Sequence, residues 1–297
     1  MFEKVGWTDI DGRPDATAGL HGRGAWTILL PFVDERDYLR ETIDSLAMQH
    51  ETPTIILIDH GSTDDGARIA VDRCRRLGLP HVLIGDLHGS KVAALAAGLA
   101  MVATPYVATC DADTWYPDNY LAAAQELLEQ DGVAAAGAYF VARDAGAVRR
   151  SLEAVRTLAL ARALPGRCHA GGAGQVFVTA ALRLAGGFDP ARWDAAFEDR
   201  EIVHQVSKVG AVRYGAGLWC APSPRSRARA SAGWGAAEQL VYATTGDRAD
   251  GSFFSAYLAP RLTRRAATSS TRPSRPTAAR SGLRREGSRD GTPSLAR

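Results

Sequence analysis

The chain has 297 residues, 46% of them hydrophobic, and a formal net charge of +2; this suits an ordinary globular protein with one large domain or two small ones. Its longest apolar segment, Val92 to Ala103, is alanine-rich and about half the length a bilayer crossing needs, and the Met1 end has no basic-then-apolar signal pattern, so a cytoplasmic protein without a transmembrane segment is expected. Cys74, Cys110, Cys168 and Cys220 lie far apart with no Cys-x-x-Cys pair, which indicates neither a zinc knuckle nor a disulfide framework and leaves four reduced, partly buried thiols.

Met1 to Gly24 is rich in Gly and Asp without sustained periodicity and reads as a loosely ordered leader. Trp26 to Val33 is a buried-strand run, after which Asp34-Glu35 opens a segment with Tyr38, Leu39, Ile43 and Leu46 at helical spacing. Thr54 to Ile58 is a second strand with no polar alternation, as expected for a parallel strand covered on both faces. Asp59-His60-Gly61-Ser62-Thr63-Asp64-Asp65-Gly66 follows it, and a helix through Ile69, Arg73 and Leu77 stops near Gly78. His81 to Ile84 is a third strand, and Gly85 to Lys91 a loop into the small-residue helix from Val92 to Met101. The run Pro105 to Pro117 supplies a fourth strand that ends in Asp111 and Asp113, two apart and therefore expected on one strand face.

Three β–α units in about ninety residues predict an α/β fold with an open, mostly parallel sheet wrapped by helices on both faces. Ligands of such sheets bind beyond the carboxyl ends of the strands. Asp34, Asp59, Lys91, Asp111 and Asp113 all fall at or near those ends.

Beyond Asp118 a helix from Asn119 to Gln130 is expected, then a strand from Val133 to Val141. A second helix from Val148 to Ala163 carries Leu152, Val155, Leu158 and Leu160. A glycine-rich loop, Leu164 to Gly174, precedes a strand at Gln175 to Thr179. Gly186-Gly187-Phe188-Asp189 is a turn, and Glu198-Asp199 opens a helix whose Ile202, Val203, Val206 and Val209 share a face. Arg213 to Gly215 and Leu218 to Cys220 suggest one more strand. Arg225, Arg227 and Arg229 lie in a loop, and Trp234–Tyr242 and Phe253–Leu262 read as short helices. From Arg261 onward ten arginines face only Glu286 and Asp290, a net +8 that leaves the preceding 260 residues at −6. This tail lacks the apolar residues to fold alone. The expected organisation is a leader over 1–24, one domain over 25–260 with a nucleotide-binding half (25–118) and an acceptor half (119–260), and a basic tail over 261–297.

The chemistry follows from residue type. Asp111 and Asp113 offer oxygen donors for Mg²⁺ or Mn²⁺, which are typically held by one or two carboxylates plus substrate phosphate oxygens. An Asp-x-Asp also caps turns, and alone it is a weak signal. Asp59 can accept hydrogen bonds from a base or ribose, or cap the helix after it. Lys91 is either a phosphate-facing charge or a solvated lysine at a helix start. Glu198 and Asp199 sit where any helix favours acids, in its first turn. His169 and His204 are candidate third metal ligands that read more readily as structural.

Together, Pro31-Phe32-Val33-Asp34-Glu35, Asp59-His60-Gly61-Ser62-Thr63-Asp64, Asp111-Ala112-Asp113, Gly186-Gly187-Phe188-Asp189 and Glu198-Asp199 resemble the ordered landmarks of family 2 glycosyltransferases with the GT-A fold, over roughly Trp26 to Trp219. The resemblance implies a metal-dependent, inverting, hexosyl-type transferase acting on a nucleotide-diphosphate sugar. Pro31, Asp34, Glu35, Asp59, Lys91 and Asp111 would then face the donor. Asp113, with Asp111 directly or through water, would hold the Mn²⁺ or Mg²⁺. Asp199, with Glu198 as the nearer alternative, would be the general base, and Gly171, Gly172 and Gly174 would floor the sugar site. Ala96 and His60 depart from the Asn and the second acid usual at those positions. The absence of Gln-x-x-Arg-Trp after Asp199 argues against a processive polysaccharide synthase.

A dinucleotide-dependent oxidoreductase would need Gly-x-Gly-x-x-Gly after the first strand, where Asp34-Glu35-Arg36-Asp37 stands. A sugar nucleotidyltransferase would place a Gly- and Arg-rich loop there, whereas His21-Gly22-Arg23-Gly24 precedes the strand. The remaining alternative is a non-catalytic nucleotide-sugar binder or scaffold. No nucleic-acid partner is expected, because the basic tail has no recognition motif and only Tyr257 nearby to stack; a peripheral membrane contact through that tail is the other option. The acceptor, a small molecule or a cell-envelope component, is not readable from the residues.

Overall fold

The computed structural model describes residues 24–85, 90–164, 168–169, 171–191, 198–224 and 241. The predicted leader before residue 24, the Arg225–Arg229 loop, all but one residue of the two short helices beyond it and the basic tail lie outside these residues.

The three β–α units form as the sequence dictates. Strand β1 (Trp26–Phe32) and helix α1 (Leu39–Ala47) are followed by β2 (Thr54–Asp59), α2 (Gly66–Leu77), β3 (His81–Ile84), α3 (Lys91–Met101) and β4 (Tyr106–Thr109). β1 pairs in parallel with both β2 and β4, and β2 with β3. Alternation sends Ile28, Leu30 and Phe32 to one face and Leu29 to the other. The first set packs with Leu39, Ile43 and Leu46 of α1 and Ala70, Val71 and Cys74 of α2. Leu29, with Ile56 and Ile58 of β2, meets Val92, Leu95 and Leu99 of α3. Both faces are therefore covered, which is why neither strand shows polar alternation; each Leu or Ile buried there contributes roughly 1.5–3 kcal/mol. Gly98 lets α3 lie close to the sheet, since a β-carbon there would stand 2.6 Å from Ile58 Cδ1. Helix α2 stops at Gly78, whose φ of 67° is left-handed and cheap only for glycine.

The second half continues the same sheet. A two-residue strand, β5 (Thr114–Trp115), precedes α4 (Tyr120–Leu128), β6 (Val133–Phe140), α5 (Ala147–Ala163), a 3-10 turn over Gly172–Gly174, β7 (Gln175–Val178), α6 (Thr179–Leu184), α7 (Glu198–Val206) and β8 (Ala211–Pro222). The strand order is β3-β2-β1-β4-β7-β6-β8-β5. β7 runs antiparallel to β4 and β6, while β8 runs parallel to β6. α4 joins the α1–α2 face through Tyr120, Leu121 and Ala124, and α7 joins the α3 face through Ile202, Val203 and Val206. The expected mostly parallel, doubly covered α/β sheet is the fold observed.

One local expectation differs. β4 ends at Thr109, so Asp111 and Asp113 lie beyond the strand, and pleat alternation does not set their directions. In α5 the residues turned inward are Ala154 and Thr157, while Val148, Leu152 and Val155 point to solvent. Among the described residues no helix is long and apolar enough to cross a membrane.

Candidate active site

The loops after β1 and β2 are laced to each other. Asp34 has a φ of 52°, a left-handed conformation that Asp tolerates better than most side chains. Its Oδ1 accepts from the Thr63 backbone N–H at 2.7 Å and the Thr63 hydroxyl at 3.1 Å, while its own N–H donates to Ser62 Oγ at 3.1 Å. The Thr63 backbone donor, above all, lowers the Asp34 carboxyl pKa below its ordinary value. Asp59 Oδ1 accepts from the N–H groups of Gly61 and Ser62, so it closes its own turn; the N-cap position of α2 belongs to Asp65. Glu35 contributes its carbonyl to the turn into α1, accepting from Tyr38 and Leu39. Pro31 is buried within β1. His60 donates its backbone N–H to the carbonyl of Phe32, and Ala96 is half-buried against the α3-side core.

The acidic turn splits two ways. Lys91, the first residue of α3, donates from Nζ to Asp111 Oδ1 at 2.7 Å, with about a third of each side chain exposed. Asp113 instead faces the end of β8, where its Oδ2 accepts from the Ser223 hydroxyl at 2.8 Å and its carbonyl from the Ser223 N–H at 2.9 Å. On this side Asp113 lines a cavity of about 570 Å³ with Tyr38, Trp115, Arg143, Asp144 and Ser223. Arg143 lies over the Trp115 ring, 4.8 Å from its centroid, and pairs with Glu41.

The glycine loop carries the third acid. Asp199, in the first turn of α7, accepts at Oδ2 from the Gly172 N–H at 2.8 Å, and the carbonyl of Asp199 accepts from Gln175 Nε2 at 2.5 Å. Gly174 is packed against Ala138 and Phe140, and a β-carbon at Gly171 would meet the Phe140 ring at 2.8 Å. Glu198 opens the same helix.

One residue that sequence reasoning passed over joins these parts. Tyr116 is fully buried; its hydroxyl accepts from the Asp111 N–H at 3.0 Å and donates to the Ala173 carbonyl at 2.8 Å. Burial pushes the phenol pKa well up, so the hydroxyl keeps the proton this bridge requires. Thr109, the last residue of β4, adds a second tie through its hydroxyl to the Gly172 carbonyl at 2.8 Å. The acidic turn and the Asp199 loop are thus one hydrogen-bonded unit. Its only sequence signal was a tyrosine placed just after the two acids.

A divalent cation is compatible with this donor set. Asp113 and its Ser223 neighbour present hard oxygen atoms at an open cavity, and among the described residues no three or more His, Cys, Asp or Glu side chains form a metal-holding group. A carboxylate and a hydroxyl are oxygen donors of the kind that Mg²⁺ or Mn²⁺ takes beside substrate oxygens. His169 is occupied elsewhere: its Nε2 bonds the Leu164 carbonyl at 3.0 Å and its ring packs edge-on against Tyr214. His204 is buried in the last turn of α7.

The model for glycosyl transferase family 2 matches residues 27–172. No curated protein matches the chain in sequence. Among solved structures, the chain is similar to PcManGT, a mannosyltransferase from Pyrobaculum calidifontis solved in complex with GDP-Man and Mn²⁺, with a TM-score of 0.61 and 20% identity over 86% of this chain and 78% of that one. It is also similar to residues 1–349 of TarS from S. aureus, solved in complex with UDP-GlcNAc, with a TM-score of 0.54 and 13% identity over 80% and 72% of the respective chains. These likenesses show the fold, which is GT-A.

Proposed function

We propose, from the premise that residues 27–172 belong to glycosyl transferase family 2, that this chain transfers a single hexosyl residue from a nucleotide-diphosphate sugar to a small-molecule or cell-envelope acceptor, with inversion at the anomeric carbon. The observation that carries the reading is the bridge through Tyr116, which fixes the acidic turn and the loop holding Asp199 in one frame. A transferase needs this coupling because leaving-group stabilisation and proton removal act on opposite sides of one carbon.

In this reading the laced loops of Asp34 and Asp59 seat the nucleoside, with Pro31 and Glu35 shaping the wall, and Lys91 and Asp111 face the diphosphate. Asp113, with Asp111 nearby, would hold Mn²⁺ or Mg²⁺, whose chemistry is to neutralise charge on the departing diphosphate. Gly171, Gly172 and Gly174 form a side-chain-free floor. Asp199 removes the proton of the acceptor hydroxyl as its oxygen bonds to the anomeric carbon and the bond to the diphosphate breaks, a step worth ~10²–10⁴-fold. Glu198 neighbours it in the same turn of α7. The binding of GDP-Man by the Pyrobaculum protein and of UDP-GlcNAc by TarS supports a nucleotide-sugar donor.

The test is a panel of UDP-, GDP- and dTDP-sugars assayed for hydrolysis and transfer with and without Mn²⁺. Turnover of at least one donor, dependent on the cation and lost in Asp199→Asn while donor binding persists, is expected. Binding of a donor with no rate changed by Asp199→Asn would leave a non-catalytic binder.

A further inference from the structure

Helix α5 carries its apolar residues on the wrong side for a core. Val148, Leu152 and Val155 are 77%, 65% and 65% exposed. Their spacing of four and three places them in one stripe along the helix, and Ala159 continues it. The face that packs inward is built from Ala154 and Thr157. An outward apolar stripe of this kind gains nothing in stability from water and is unusual on a surface unless something covers it.

The charges beside the stripe say what that is. Arg149 and Arg156 follow one edge of it and Arg162 the other, all exposed. Arg150 stays with the body, bonded to the Ala145 carbonyl and lying over the Trp219 ring. The single acid of the helix, Glu153, is on a half-buried flank 3.6 Å from Arg156, so four arginines against one glutamate leave the helix at +3. An apolar centre flanked by arginines on both edges is the pattern of a helix lying in a membrane interface, where arginine stems extend along apolar surface and the guanidinium groups reach headgroup phosphates. The helix, at 17 residues, is not a span, and no described helix is one. Self-association by the same face would set the arginines of one copy against those of another.

We infer that α5 is a membrane-docking helix that seats Val148, Leu152 and Val155 in an anionic bilayer surface. The contact is separate from any made by the arginine-rich tail and independent of the donor chemistry. Because α5 begins three residues after Asp144, docking also sets the cavity wall at Arg143 and Asp144 beside the lipid-facing helix.

The experiment is sedimentation of the full chain with phosphatidylcholine vesicles and with mixed phosphatidylcholine–phosphatidylglycerol vesicles. Wild type is expected to bind the mixed vesicles. In Val148→Ser/Leu152→Ser/Val155→Ser, whose substituted side chains belong to no core cluster among the described residues and whose tail is intact, the partition coefficient is expected to fall about tenfold or more. A second readout is an environment-sensitive fluorophore on Leu152→Cys, selective because Cys74, Cys110, Cys168 and Cys220 are all buried; its emission should shift to the blue with mixed vesicles. Vesicle binding that survives the triple substitution, or a silent label on sedimenting protein, assigns the contact to the tail and overturns the inference. So does a wild-type chain that ignores vesicles while the triple variant loses either a dimer or thermal stability, since a second copy or the chain's own segment would then cover the stripe.

Discussion

Gly172 donates its backbone N–H to Asp199 Oδ2 at 2.8 Å, and a β-carbon on Gly172 would stand 2.2 Å from Asp199 Oδ1. The glycine is demanded by the carboxylate seated on it. Gly172→Ala must push that carboxylate aside, and if Asp199 is the general base, the turnover number should fall by about 10²-fold or more with donor affinity kept. Steady-state kinetics beside calorimetric donor binding checks the split; an unchanged turnover number would mean that the position of Asp199 is irrelevant to the chemistry.

Asp113 is the carboxylate of the acidic turn that faces the cavity, whereas Asp111 is paired with Lys91. Asp113→Ala should therefore abolish the Mn²⁺-dependent part of nucleotide-diphosphate binding while leaving the metal-independent part. Since loss of a group merely supporting a ligand costs about 10–100-fold in metal affinity, loss of a direct ligand should cost about 100-fold or more. Titration of UDP and GDP with and without Mn²⁺ measures it, and equal cation enhancement in the variant would remove Asp113 from the metal site.

The fold was legible because β1 and β2 are apolar without alternation and each gives way to an acid-bearing turn. Asp34 and Asp59 sit where that pattern put them. What was not legible depends on contacts far apart in the chain: the Tyr116–Ala173 bond spans 57 positions and the Ser223–Asp113 bond 110. No local signal foretells such partners. The expected shared face of Asp111 and Asp113 failed because β4 stops at Thr109, so a turn rather than a pleat aims the two acids, one at Lys91 and the other at Ser223. In α5 the helical period was read correctly, but period alone does not say which stripe faces the sheet. The small Ala154 and Thr157 fit the inward side.

Tyr116→Phe tests the bridge without disturbing its packing, because the ring contact with Tyr120, centroids 4.9 Å apart, survives the change. Without the hydroxyl, the Asp111 N–H loses its acceptor and the Ala173 carbonyl its oxygen donor. An unsatisfied buried group costs about 1–3 kcal/mol, so urea unfolding should show a loss of that order. Turnover should fall as well, since the two acidic elements are no longer held together. Unchanged stability would mean that water restores both bonds and that the tie is not structural.

The Asp34 carboxyl sets how the laced loops respond to acid. The Thr63 backbone N–H is the largest effect and holds its folded-state pKa below the ordinary 3.8; burial, next in size, opposes it, and the Thr63 hydroxyl and the Asp64 backbone add smaller lowering effects. A carboxyl depressed on folding contributes stability that is complete above the unfolded value and disappears as pH falls through the folded value. Asp34→Asn isolates this effect, because Asn tolerates the left-handed backbone at φ 52° and retains an acceptor oxygen for Thr63. Wild type should melt higher than the variant near neutrality, and the gap should close as pH is lowered from about 5 to about 2. Because Asp34 is exposed, the gap should also narrow with added salt. Thermal melts of both proteins across that range decide it: a gap that stays constant into strong acid would show that the charge on Asp34 does not hold the loops after β1 and β2 together.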